Sequence, residues 1–376
     1  MRITAALLRE MGATTPYAKS RPLVITELEL DGPGRGEVLI RIRAAGLCHS
    51  DLSVINGNRP RPMPMAIGHE AAGEVVELGE GVDDLAVGDH VVLAFVPSCG
   101  HCLPCAEGRP ALCEPGAAAN GMGTLLSGGI RLHEEDHDHP IHHHLGCSAF
   151  ADHAVVSRRS IVRIDKGLPF AHAALFGCAV LTGVGAVVNT AKVQAGQTTV
   201  VIGLGGVGLA ALLGALSAGA SQVVAVDLSD AKLAIARELG ATATVNAADA
   251  DAVDAVRRLT NGGADFAFEF AGSARALESA YAMTRRGGTT VTAGLPAPKA
   301  ALPVNIVSLV AEERTLKGSY IGTCVPVRDI PRYIALHMSG RLPVDRLLSG
   351  TIGLTEINEG FDRLQRGDVI RLVVDL

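Results

Sequence analysis

VVIGLGGVGLAALLGALSAGA, residues Val200 to Ala220, carries no charged side chain over its whole length. Two readings compete for it. By length and hydropathy it could span a bilayer; by its glycines it is a buried strand, a tight turn and a buried helix read end to end. The turn decides. GLGGVG, Gly203 to Gly208, fits G-x-G-x-x-G, follows a β-rich run and opens a helical one, the setting in which that pattern binds a dinucleotide. Gly203 and Gly205 permit the turn and a close approach of backbone to pyrophosphate, and Gly208 lets the helix pack on the strand. Leu204, Gly206 and Val207 complete a loop whose amides and helix N-terminus favour phosphate.

Working outward, short β-rich runs recur with helix-like segments between them: TTVVIG, QVVAVD, ATATVN, ADFAFEF, TTVTAG and TLKGSY. Six such runs predict one doubly wound α/β domain with a parallel sheet, over residues 180–320. In SDAKLAIARELG, Ser229 or Asp230 can cap a helix that Gly240 ends. The second run ends at Asp227, where a carboxylate can accept hydrogen bonds from an adenosine ribose. Its charge would repel the 2′-phosphate of NADP and no Arg follows it directly, so NAD is the expected cofactor. Lys232 either reaches the same ribose or is a solvated helix lysine.

Residues before about 180 read differently. GEVLIRIRAAG and AGEVVELGEGV alternate and are broken by Gly, Pro and Asp turns, which predicts a β-rich domain over 1–179. The tail, closing in the alternating IRLVVDL, is expected to return to that domain, so that 321–376 completes it. A chain of 376 residues suits two domains. Aromatics are only 3% and Trp is absent, so packing relies on Ala, Val, Leu and 44 Gly. A net charge of -6 gives no footprint for nucleic acid or an anionic membrane. The opening MRITAALLRE lacks the features of a secretory signal, which leads us to expect a cytoplasmic protein without disulfides. The tract HEEDHDHPIHHH, residues 133–144, holds six histidines and reads as a solvated loop or an adventitious metal patch.

Eight cysteines then need another role. Cys99, Cys102, Cys105 and Cys113 are spaced C-x2-C-x2-C-x7-C, compact enough for four thiolates to converge on one ion. Zinc suits the set, and four sulfurs leave no open position, so the site would be structural. An iron–sulfur cluster or reduced thiols are the alternatives, although the ferredoxin run has a tighter last spacing and a Pro after its final Cys. Cys48 in GLCHSD, Cys178 in FGCAV and His69 in GHEAAG supply the ligand types of a catalytic zinc with an open fourth position, against the plainer reading of buried, inert thiols.

GHEAAGEVVELGEGV, residues 68–82, with Gly68, His69, Glu70, Gly73, Gly79 and Val82, resembles the signature of zinc-containing medium-chain alcohol dehydrogenases. The four-cysteine lobe (about 97–115), the Gly-rich turn with Asp227 and the terminal IRLVVDL occur in that family's order, so the resemblance covers essentially the whole chain. It implies a GroES-like catalytic domain, a Rossmann domain and a cleft between them. It also implies two zinc ions, one catalytic at Cys48, His69 and Cys178 and one structural at Cys99, Cys102, Cys105 and Cys113. Asp51 matches the carboxylate that orients the histidine ligand, Glu70 the acid beside the metal, and Ser50 the hydroxyl of the proton relay. Thr182 and Arg371 match positions near the nicotinamide and pyrophosphate, and His49 one that often carries a basic pyrophosphate contact. Phe95, His144, Leu145, Leu295 and Tyr320 match the substrate walls, with His144 standing where a large apolar residue is common.

The implied reaction is reversible hydride transfer between a primary alcohol and NAD, giving the aldehyde. An aromatic, terpenoid or medium-chain alcohol suits these walls. Ser53 replaces the family's relay histidine, so water or His49 would finish the proton transfer. The segment 115–146 resembles the extra lobe of the dimeric branch, which implies a homodimer, with a tetramer as the alternative. Competing functions are a thiol-adduct (S-hydroxymethyl) formaldehyde dehydrogenase and, in a different class, a zinc-stabilised NAD-binding regulator.

Overall fold

The six β-rich runs are six strands of one parallel sheet, in the order Ala243–Asn246, Gln222–Asp227, Thr198–Ile202, Ala264–Glu269, Thr284–Thr292, Thr315–Gly318. The chain starts in the middle, fills one side, then crosses to the other. Thr198–Ile202 therefore lies at the point where strand order reverses, and ligands bind at the carboxyl ends of strands there. Val200 to Ala220 is not one span: a five-residue strand is followed by a turn and the helix Gly206–Ser217. Among the described residues no single helix is long and apolar enough to cross a membrane. Ser229 caps the next helix, Asp230–Glu238, by accepting from the Lys232 amide, and Gly240 follows with φ +107°. The core between sheet and helices is Val200, Ile202, Val224, Val226, Val256, Ala267 and Met283, all under a tenth exposed.

This computed structural model describes residues 1–134 and 139–376. It divides into two compact units, the second being Ala179–Cys324 with Tyr333–Leu347. The expected boundary gave all of 321–376 to the other domain. Instead Leu342, Val344 and Leu347 are buried, and the Arg346 guanidinium donates to the Glu238 carbonyl at 3.0 Å, which ties this segment to the nucleotide-binding sheet's own helices.

The first unit, Met1–Cys178 with Val325–Arg332 and Leu348–Leu376, is β-rich. A seven-stranded sheet runs Ile161–Ile164, His90–Leu93, Glu70–Leu78, Glu37–Gly46, Arg371–Asp375, Leu348–Gly353, with His153–Ser157 also paired to Glu37–Gly46. The two alternating segments of the sequence are neighbours here, antiparallel, with Gly46 opposite Glu70. The terminal strand Arg371–Asp375 adds beside them. A small closed barrel is built from Arg2–Leu8, Leu23–Leu30, Leu132–His133, Pro140–His143 and Met65–Ala66.

That barrel corrects the reading of the histidine tract as a solvated loop. Residues 135–138 lie outside those described. On either side, Leu132–His133 and Pro140–His143 are strands, and Met65 and Ala66 pair with His142 and His143. His143 and His144 are each 1% exposed. Pairing across the barrel buries them, and no local feature of the tract announces that partner.

Candidate active site

The strand Glu37–Gly46 runs into Leu47 and Cys48, and the helix His49–Ile55 starts on the next residue. Asp51 serves both. Its Oδ2 accepts the Cys48 amide at 3.1 Å and closes the helix's first turn, while its Oδ1 accepts from His69 Nδ1 at 2.8 Å. Burial alone would raise the Asp51 carboxyl, but His69 holds it below the usual carboxylate value. His69 precedes the strand Glu70–Leu78, and Gly68 before it has φ +104°, with Phe150 packed where a Cβ would sit. Only glycine fits that conformation and that space.

With Nδ1 committed to Asp51, His69 Nε2 is buried and has no hydrogen-bond partner. Ligand atoms of Cys48, His69 and Cys178 lie within 4.8 Å of one another, all three residues buried. A hydrogen bond with Cys178 pulls the Cys48 thiol well below its ordinary value and pushes Cys178 up, so the two sulfurs divide a proton unequally. Burial opposes charge on His69, yet Asp51 and Cys48 more than offset it and hold its pKa well above the usual value. An oriented imidazole nitrogen beside two buried cysteine sulfurs is a donor set that a cation would satisfy in place of their protons. The residues present therefore fit a zinc ion.

Glu70 is fully buried, and burial pushes its pKa up to about 7 against the pull of Arg371, whose Nη2 is 3.8 Å away. A side chain on Gly46 would meet the Glu70 carboxylate. Arg371 is itself 3% exposed and donates to the Leu47 carbonyl at 2.8 Å, beside Cys48. Ser50 is half-buried and His49 exposed on the same helix, and Ser53 spends its hydroxyl on the His49 carbonyl at 2.8 Å. Phe95 and Leu145 are each 8% exposed. The Phe95 and His144 rings both stand edge-on to His69, with centroids at 5.1 and 5.6 Å.

The sulfurs of Cys99, Cys102, Cys105 and Cys113 also lie within 4.8 Å of one another. Backbone amides of Cys99 and Gly116 donate to the Cys113 sulfur at 3.1 and 3.3 Å, and the Cys102 amide to Cys99 at 3.3 Å. Amides from His101 and Cys102 bring the Cys99 thiol down to about 6, whereas burial pushes Cys105 up to about 12. Amide donors to sulfur stabilise thiolates that ligate metal. The sequence reading missed Asn120, on the helix Glu114–Met122 that Cys113 caps; its amide donates to the Phe95 carbonyl at 3.1 Å. Its partner lies 25 residues away in the sequence, so no local signal announced it.

The second unit carries the other expected residues. Gly203 has φ +87°, and a Cβ on Gly208 would collide with the Gly203 carbonyl, so both glycines serve the turn itself. A Cβ on Gly205 would meet nothing, leaving open space over the helix start where a phosphate could lie. Asp227 accepts from the Leu204 and Ser229 amides at 2.7 and 3.0 Å, which fixes its carboxylate at the strand's carboxyl end. Lys232 and Thr182 are half-buried. Leu295 and Tyr320 are 52% and 41% exposed.

A GroES-like β domain with a buried Cys–His–Cys set, followed by a dinucleotide-binding sheet, defines a zinc-binding dehydrogenase. Residues 34–166 match the alcohol dehydrogenase GroES-like domain and residues 206–338 the zinc-binding dehydrogenase domain. Among curated relatives is a Mycobacterium tuberculosis protein named "Putative alcohol dehydrogenase D", 41% identical over the full length of both chains. The S-(hydroxymethyl)glutathione dehydrogenase of Paracoccus denitrificans is 36% identical, also over both full lengths. The solved benzyl alcohol dehydrogenase of Acinetobacter calcoaceticus is 31% identical and superposes with a TM-score of 0.93, covering all of this chain and 99% of that one. The chain belongs to the zinc-containing medium-chain alcohol dehydrogenase family. It is an oxidoreductase whose family uses zinc and a nicotinamide cofactor on small-molecule alcohols.

Proposed function

We propose that this enzyme is an NAD-dependent dehydrogenase of primary alcohols, benzylic or similarly apolar, that holds two zinc ions per chain. The single observation that carries the reading is His69 Nε2, buried without a partner beside Cys48 and Cys178 while Asp51 fixes the ring from the other side. Cys48, His69 and Cys178 would hold the catalytic zinc, and Cys99, Cys102, Cys105 and Cys113 the structural one. When bound, the catalytic zinc supplies a Lewis acid that lowers the pKa of an alcohol hydroxyl.

The protein's residues do the rest. Asp51 keeps the His69 lone pair aimed, and Glu70 with Arg371 sets the field behind the thiols. Phe95 and Leu145 give the alcohol an apolar wall and exclude water, which matches the benzyl alcohol named for the Acinetobacter relative. Ser50 would accept the hydroxyl proton, with water or His49 completing the transfer. The Gly203–Gly208 turn and Asp227 would hold NAD, which when bound supplies the hydride acceptor. Positioning of donor and acceptor carbons then carries most of the acceleration. The fold also supports a domain break after Cys178, with Val325–Arg332 and Leu348–Leu376 returning to the catalytic part.

Metal analysis and initial rates test this together. The purified enzyme should carry two zinc ions and reduce NAD with primary benzylic, terpenoid and medium-chain alcohols faster than with secondary ones. Cys178→Ser should lose one zinc and its turnover but keep the other. Turnover only with an S-hydroxymethyl thiol adduct would move the substrate to that of the Paracoccus relative. Full activity in Cys178→Ser would refute the ligand assignment.

A further inference from the structure

His144 is not required by a Cys–His–Cys ligand set, yet it is built into that set's support. Its Nδ1 accepts the Gly68 amide at 3.2 Å. Gly68 is the residue immediately before His69 and holds a conformation that only glycine adopts readily. The same Nδ1 lies 3.3 Å from Asp51 Oδ1, the oxygen that orients His69. The two imidazole planes are 87° apart with centroids 5.6 Å apart, so His144 also braces the His69 ring face or edge. His144 is fixed in turn: its amide donates to Ser148 Oγ at 3.0 Å, and the preceding His142 and His143 are strand residues of the barrel.

One ring nitrogen has one in-plane site, so Nδ1 cannot both accept from Gly68 and donate to Asp51. The Gly68 amide hydrogen points at Nδ1 and fills that nitrogen's one in-plane site. Nδ1 is therefore the acceptor and the His144 proton sits on Nε2. Resting on the metal reading of Cys48, His69 and Cys178 above, we infer that His144 is a positioning residue for the metal-ligand histidine, acting through the Gly68 backbone rather than through bond-making with substrate. An apolar side chain at this position would fill the space but leave the buried Gly68 amide unpaired, and the peptide that aims His69 would lose its anchor.

Cobalt-substituted and zinc-loaded enzyme test this in four forms: wild type, His144→Phe, His144→Asn and His144→Gln. Asn places an acceptor near the Nδ1 position and Gln near the Nε2 position. His144→Phe and His144→Gln should weaken the catalytic metal by about 10–100-fold, read as faster release to a chromogenic chelator, and should shift the cobalt d–d bands. His144→Asn should stay near wild type on both readouts. Unchanged release and bands in His144→Phe, or no advantage of Asn over Gln, would overturn the role; if His144→Phe fails to fold, the Asn and Gln pair decides alone. A wild-type enzyme with no thiolate-to-cobalt charge-transfer band beyond that of the four-thiol lobe would overturn the metal reading itself, and this role with it.

Discussion

At the scale of single residues, two charges or near-charges set measurable properties. Asp227 is held by two amides, one of them in the Gly-rich turn, so its negative charge is fixed where an adenosine ribose would sit. Asp227→Asn keeps an acceptor for the turn and removes the charge. The ratio of kcat/KM for NADP over NAD should rise about tenfold, a change of about 1.4 kcal/mol; an unchanged ratio would show that Asp227 only braces the turn. His143 carries the opposite lesson. Burial, with Arg131 adding to it, brings its pKa down to about 3, and its Nε2 accepts the Arg131 amide at 3.0 Å. A depressed histidine pKa means the unfolded chain binds the proton more tightly than the native one. Its contribution to stability is therefore complete above the unfolded value near 6.5 and is lost as pH falls toward about 3. His143→Gln retains an acceptor for Arg131 but cannot take a proton. In urea unfolding from pH 7 to 5, wild type should lose stability faster than the variant, approaching about 1.4 kcal/mol per pH unit below pH 6, and parallel curves would place the proton elsewhere.

At the scale of elements, the helix Glu114–Met122 joins two sites that the sequence presents as separate. Cys113, one of the four thiols, caps its first turn through Gly116, and Asn120 near its end holds the Phe95 carbonyl behind the ring that stands on His69. The four-thiol lobe is thus tied to Phe95 as well as to its own loop. Asn120→Leu removes one hydrogen bond to the Phe95 carbonyl, at a cost of about 1 kcal/mol. We expect a higher KM for benzyl alcohol with both zinc ions retained; a lost structural zinc with an unchanged KM would show the helix serves only the lobe. The same helix marks the limit of what could be read beforehand. Elements with local signatures were legible: the six parallel strands are continuous apolar runs because both faces are covered, and four thiols in one short segment need no knowledge of the fold. Cys48, His69 and Cys178 lie far apart in sequence; their residue types suggested a catalytic zinc, and the family resemblance made the assignment. His143, His144 and Asn120 owe their burial and partners to a barrel and a carbonyl elsewhere in the chain, so no window around them could reveal either. The segment Tyr333–Leu347 likewise follows the Arg346–Glu238 contact, not its position next to the terminal strand.

At the scale of the whole molecule, the nucleotide-binding sheet ends on one side in the strand Thr315–Gly318, which among the described residues pairs only with Thr284–Thr292. An uncovered edge offers unpaired amides and carbonyls to another chain. The preceding helix Ile306–Ala311 presents Ile306, Val307 and Val310 at 73%, 74% and 71% exposure, and Leu316 on the edge strand is 38% exposed. Neighbouring apolar side chains of this size rarely face water without a partner. A second copy of the chain satisfies both features, because an isologous contact pairs the same edge with itself and covers the same helix twice. The homodimer that the family resemblance implies would use this surface. Val310→Asp places two like charges near each other across that contact and should convert a dimer to monomer in light scattering, with the fold intact by circular dichroism. A dimer that survives Val310→Asp unchanged would move the interface off this edge, and a wild-type monomer would leave the exposed helix to some other partner.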